Sequence, residues 1–133
     1  MRIDFYEMSG RFDDPLEVAC VLVGKAFPAS RPIAVVGTGQ QLTALDERLW
    51  QMPGGRFLPH GIDDQAAPIR LGRTAPPKAE LLINLDADAP LPDGEFRRVL
   101  EIVPPGEDSR PALRKRWVAW KKTGAEMHHH VLK

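Results

Sequence analysis

The sequence predicts an α/β fold: a three-layer sandwich with a mostly parallel sheet and helices on both faces. Short, near-continuous apolar runs rich in β-branched residues alternate with amphipathic helical stretches. A strand–helix–strand–helix order at this spacing implies parallel pairing through crossovers. With 133 residues, 43% of them hydrophobic and 27% charged, the chain is globular in composition and long enough for one core without staples.

Residues 2–6 open as a short strand, closed by a turn at Ser9-Gly10. Asp13-Asp14-Pro15 then reads as a helix start, with a capping acid, a proline in the first turn and Glu17 behind it. Apolar residues at 18, 19, 22, 23 and 26 keep the helical period, and Pro28 stops it. Ile33-Ala34-Val35-Val36 reads as a buried strand. Thr38 or Gly39 opens a second helix with Leu42, Leu45, Leu49 and Trp50 on one face, and Met52-Pro53-Gly54-Gly55 ends it.

Residues 68–71, 80–85 and 99–103 are three further strand candidates, the last closed by Pro104-Pro105-Gly106. The acidic, proline-rich stretch 86–98 reads as a loop with at most a short helix. A final helix spans about 109–123, with Pro111 in its first turn and Gly124 at its end. The domain is expected to cover 1–124, leaving 125–133 as a flexible C-terminal tail.

The single cysteine, Cys20, lies in the apolar run Val18-Ala19-Cys20-Val21-Leu22-Val23, which excludes an internal disulfide and fits a reducing compartment. No stretch reaches the roughly 18 apolar residues of a membrane span. Acids stand near the N-terminus where a signal peptide would be apolar, so a cytoplasmic location is expected. The net charge of zero is segregated: residues 1–108 carry 11 Lys/Arg against 17 Asp/Glu, and residues 109–133 carry 7 against one. The resulting −6 and +6 argue against a protein that coats nucleic acid over its whole surface. They leave a local basic face for one acidic partner.

Catalytic chemistry finds little support. Gly37-Thr38-Gly39 has Leu42 where a dinucleotide fingerprint needs its third glycine, and no Gly-Lys-Ser/Thr sequence exists, so the turn reads as a helix entry. His128-His129-His130 are consecutive and His60 is the only other histidine, a poor basis for a tetrahedral metal site. No Gly-x-Ser-x-Gly elbow is present, and Cys20 sits where a thiolate is disfavoured. Asp13-Asp14 and Asp63-Asp64 are adequately explained as turn and cap residues. Neither an enzyme, a metal nor a cofactor is expected.

Two constellations suggest binding instead. The last helix holds six basic residues and no acid; Arg110, Arg114, Trp117 and Lys121 share one face, with Leu113, Trp117 and Trp120 as an apolar stripe beside it. Guanidinium groups beside tryptophan suit an acidic peptide that ends in an aromatic residue and a free carboxylate. The same pattern is compatible with a solvated basic face whose tryptophans are core, and with a nucleic-acid backbone. The second constellation is the block from Leu45 to Gly61, where Trp50 and Phe57 flank a glycine-rich bend, either as interface anchors or as packing beneath the loop.

Read together, these segments resemble the chi subunit family of bacterial DNA polymerase III holoenzyme. The matching pieces are Asp4-Phe5-Tyr6, Ala19-Cys20 with Lys25-Ala26, and Leu45-Asp46-Glu47 with Leu49-Trp50, Pro53, Phe57 and Pro59-His60. They continue through Leu81-Leu82-Ile83-Asn84-Leu85, Val103-Pro104, Glu107-Asp108, Arg114, Arg116-Trp117, Trp120-Lys121 and Gly124. The resemblance implies a Rossmann-like sheet without nucleotide or activity of its own, and two partners. These are the psi subunit, which tethers chi to the clamp loader, and the acidic C-terminal tail of single-stranded DNA-binding protein. It maps the tail pocket onto Val103, Arg110, Arg114 and Trp117, and the psi side onto Trp50 and Phe57 with Pro59 and His60 as neighbours. Where the family can place a further basic residue after the helix aromatic this chain has Val118, so Lys121 or Lys122 is expected to substitute. A direct single-strand binder and a nucleotide-dependent α/β enzyme are the readings that compete with this one.

Overall fold

A computed structural model describes residues 1–51 and 58–132. The chain runs β1 (Arg2–Met8), α1 (Pro15–Ala26), β2 (Ile33–Val36), α2 (Gly39–Trp50), β3 (His60–Ile62) and β4 (Ile69–Gly72). It continues through β5 (Lys78–Asn84), β6 (Glu95–Val103), α3 (Arg110–Lys122) and β7 (Glu126–Leu132). Among the described residues the seven strands form one sheet in the order β3-β4-β2-β5-β6-β1-β7, with every pairing parallel.

Strand alternation distributes the core between two layers. Ile33 and Val35 of β2 face the side on which Val18, Ala19 and Val23 of α1 and Leu42, Leu45 and Leu49 of α2 pack. Ala34 and Val36 face the other side, with Leu113 and Trp120 of α3. A strand buried on both faces has no polar side to show, which is why β2 reads as an unbroken apolar run. The α/β sandwich with helices on both faces is therefore the observed architecture.

The helix signals act locally as expected. Asp14 Oδ1 accepts from the Leu16 amide at 3.0 Å, capping α1, and Asp14 Oδ2 pairs with Arg48 Nη1 of α2 at 2.6 Å. Thr38 and Gln41 form a reciprocal capping box on α2. Gln41 Nε2 also donates to the Leu85 carbonyl at 3.1 Å, so this side chain fills the Gly37-Thr38-Gly39 turn. Cys20 is buried, and burial pushes its thiol up to about 11.

The expected loop 86–98 is shorter than the sequence suggested, because β6 begins at Glu95. Phe96 points into the core while Glu95 and Arg97 are exposed, and Arg97 Nη1 reaches Glu80 Oε1 on β5 at 3.0 Å. Charges on an exposed strand end give that stretch the composition of a loop. Gly94 allows the approach, since a Cβ there would lie 2.6 Å from the Pro77 carbonyl oxygen. Sequence reading also passed over β3, only three residues long at the sheet edge.

The expected flexible tail is also corrected. Gly124, at φ +84°, turns the chain out of α3, and residues 126–132 return as β7 along β1. The outer backbone edge of β1 needs hydrogen-bond partners, and β7 supplies them. Its histidines are held by acids: His129 Nε2 lies 3.1 Å from Glu7 Oε2 and His130 Nε2 lies 2.8 Å from Asp4 Oδ1. Alternation sends His129 to the opposite face from His128 and His130, so the triplet does not converge on one point.

Candidate functional site

A cavity of about 310 Å³ opens beside the first turns of α3, lined by Phe5, Glu7, Val103, Leu113, Trp117 and His129 together with Arg110 and Arg114. Val103 is the last residue of β6 and Glu7 lies near the end of β1, so the cavity sits outside the carboxyl ends of two parallel strands. Open α/β sheets generally place their ligands there. The floor is apolar: Val103 and Leu113 are buried, and Phe5 meets the Trp117 ring edge-on with centroids 5.1 Å apart.

The rim is cationic. Arg110 pairs through Nη1 with Glu7 and donates from Nε to the Gly106 carbonyl at 3.2 Å. Arg114 is exposed and has no ion-pair partner among the described residues. No acid occupies the first turn of α3, and the Ser109 side chain makes no cap hydrogen bond. The positive end of the helix dipole therefore adds to the two guanidinium groups.

The basic residues of α3 divide in a way that spacing alone did not show. Arg116 is buried, donating to Glu101 Oε2 from Nε at 2.9 Å and from Nη2 at 2.7 Å, and to the Ala89 carbonyl from Nη1 at 2.5 Å. Trp120 Nε1 donates to the same carboxylate oxygen at 2.8 Å, and Asn84 Nδ2 donates to Glu101 Oε1 at 2.7 Å. This buried network fastens α3 to β5 and β6 and removes Arg116 from any outward face. Sequence held a signal for it. Glu101 interrupts an apolar strand, and Arg116 falls between Leu113 and Trp120 at spacings of three and four. Trp120 belongs to the core, whereas Trp117 is half-buried at the cavity wall.

A second surface lies at the end of α2. Trp50 is 60% exposed and rests against His60, with ring centroids 4.6 Å apart. The His60 ring is itself fixed: Nδ1 donates to the Leu58 carbonyl at 2.7 Å, and Nε2 lies 3.0 Å from Asp46 Oδ1. Pro59 is half-buried beside it. Phe57 and the expected helix stop at 52–55 lie outside the described residues.

The chain matches the family model described as DNA polymerase III chi subunit, HolC, over residues 1–128. It belongs to that family. DNA polymerase III subunit chi of Pseudomonas aeruginosa is 34% identical over 139 aligned positions, covering 98% of this chain and 96% of the relative. The protein of the same name from Haemophilus influenzae is 28% identical over 109 positions, covering 76% of each chain.

The chi-family residues singled out from sequence separate cleanly in space. Val103, Arg110, Arg114 and Trp117 line one cavity. Lys121 is exposed in the last turn of α3 and is not part of that lining. Trp50, Pro59 and His60 gather at the other surface. Phe5, Glu7 and His129 are cavity residues that sequence reading did not assign, because they come from β1 and β7, far from α3 along the chain. A larger groove of about 1090 Å³, lined in part by Tyr6, Phe12, Val21, Leu100 and Leu132, holds none of the expected residues. Among the described residues no helix is long and apolar enough to cross a membrane, and no group of three or more His, Cys, Asp or Glu is placed to hold a metal ion.

Proposed function

We propose that this chain is a non-catalytic accessory subunit of the bacterial DNA polymerase III holoenzyme, acting in the cytoplasm. In this reading it joins the clamp loader, through the psi subunit, to the acidic C-terminal tail of single-stranded DNA-binding protein. The observation that carries it is the juxtaposition of Arg110 and Arg114 with the apolar slot of Val103, Leu113, Phe5 and Trp117. A tail with several acids and a terminal Phe matches that pairing, its carboxylates on the guanidinium groups and its ring in the slot. Charge-assisted bonds on an exposed rim are salt-sensitive, so one tail binds modestly and several tails per oligomer raise the effective concentration. Trp50, set on the fixed His60 ring and largely exposed, has the character of an anchor for psi. Lys121, beyond the cavity lining, is assigned to longer-range attraction of the acidic tail.

A direct grip on single-stranded nucleic acid is disfavoured, because Arg116 is turned inward and Arg110 is paired with Glu7. Calorimetric titration with a short acidic peptide ending in Phe, as the free acid and as the C-terminal amide, tests the docking. The free acid is expected to bind about tenfold more tightly, the consequence of losing one charged hydrogen-bonding group. Equal affinities would remove the terminal carboxylate from the mechanism.

A further inference from the structure

We propose that Arg110 and His129 form a carboxylate seat already filled by Glu7, so that Glu7 is a built-in competitor that sets the affinity of the cavity for acidic ligands. The inference rests on the cavity being an acidic-tail site. Three elements meet there: Arg110 from the first turn of α3, Glu7 from β1 and His129 from β7. The two carboxylate oxygens of Glu7 are divided between the two donors, Oε1 to Arg110 Nη1 and Oε2 to His129 Nε2 at 3.1 Å. A ligand carboxylate would use the same donors in the same way.

Arg110 has a further commitment, its Nε bond to the Gly106 carbonyl at 3.2 Å, so its guanidinium is held in place without Glu7. Arg114 has no such internal acid among the described residues, and it is the cation an incoming carboxylate meets first. A second carboxylate reaches Arg110 only by displacing or sharing Glu7, whose charge lines the same cavity. Affinity is thereby held down, and ligands with a single negative charge gain little from the site.

Glu7→Gln keeps the shape and an acceptor oxygen while removing the charge. The acidic Phe-terminated peptide is expected to bind about fivefold more tightly to this variant at low ionic strength, with the gain shrinking as salt rises. Adding His129→Gln to Glu7→Gln should return part of that gain. Unchanged or weaker binding to Glu7→Gln overturns the proposal, since a residue that merely positions Arg110 would lower affinity when neutralised. Circular dichroism checks the fold, and Glu7→Thr, a good strand former that also removes the charge, carries the same expectation should Glu7→Gln be unstable. The parallel variant Arg114→Ala separates the two readings. Binding that depends on Arg114 but does not rise in Glu7→Gln rejects the competitor alone, whereas a wild-type protein that ignores the peptide rejects both.

Discussion

Arg110, Arg114 and Arg116 lie within two turns of one helix, and tertiary contacts give each a different task. Arg116 closes a buried network, Arg110 is paired with Glu7, and Arg114 faces solvent at the cavity rim. Arg114→Ala is accordingly expected to weaken acidic-peptide binding by about 1–3 kcal/mol, the range for a lost charged hydrogen bond, and to leave the melting temperature unchanged. Titration with the free-acid peptide measures the first effect and thermal denaturation the second; full affinity in the variant would discard Arg114 as a contact. Trp50 offers a parallel case. The residue is 60% exposed, so Trp50→Ala should fold normally and lose co-purification with psi, with a cost of about 2 kcal/mol or more for a central aromatic anchor. Co-purification at wild-type yield would return Trp50 to a purely local role against His60.

At the scale of elements, sequence reading succeeded wherever the signal was local. The Asp14 cap, the Thr38 helix entry and the 3.6-residue apolar periods of α1 and α2 are properties of contiguous residues, and the helices begin where those signals stand. β7 shows the opposite. Glu126 to Leu132 has no apolar alternation of its own, and it is a strand because β1 presents an unpaired edge with Glu7 and Asp4 along it. Removing residues 126–133 should lower the melting temperature by roughly 10 °C, equivalent to about 2–3 kcal/mol for a domain of this size. The same truncation takes His129 out of the cavity. A truncated protein with unaltered melting would mean that β7 contributes pairing without stability.

For the molecule as a whole, charge is arranged more tightly than the zero net value suggests. The Asp4 side chain has no exposure, and it accepts from Arg2, Arg98 and His130 at 3.0, 2.8 and 2.8 Å. Burial alone would raise its carboxyl, but the hydrogen bonds from Arg2, Arg98 and His130 outweigh that and hold it well below the usual carboxylate range. The folded protein thus binds fewer protons at Asp4 than the unfolded chain does. The contribution to stability is complete above about pH 5 and is lost as the pH falls through and below the ordinary carboxylate value near 4. Asp4→Asn should cost about 1–2 kcal/mol at pH 7, discounted because Arg2 and Arg98 are partly exposed, and the cost should begin to shrink as the pH falls below about 4. Denaturant melts of wild type and variant across pH 3–7 check this, and a pH-independent difference would deny the linkage.

The α/β class, the parallel connectivity, the family and the basic character of the last helix were all readable from the chain alone, because each is carried by short-range spacing or by residues in fixed order. Which arginine faces inward, which tryptophan is core, and that Glu7 and His129 share a cavity with Arg110 were decided only by folding. A strand's inward face and its neighbours across a parallel sheet come from residues scores of positions away, and no local pattern encodes them. That is why the basic helix could be recognised in one dimension, while the acid paired with its Arg110 became visible only in three.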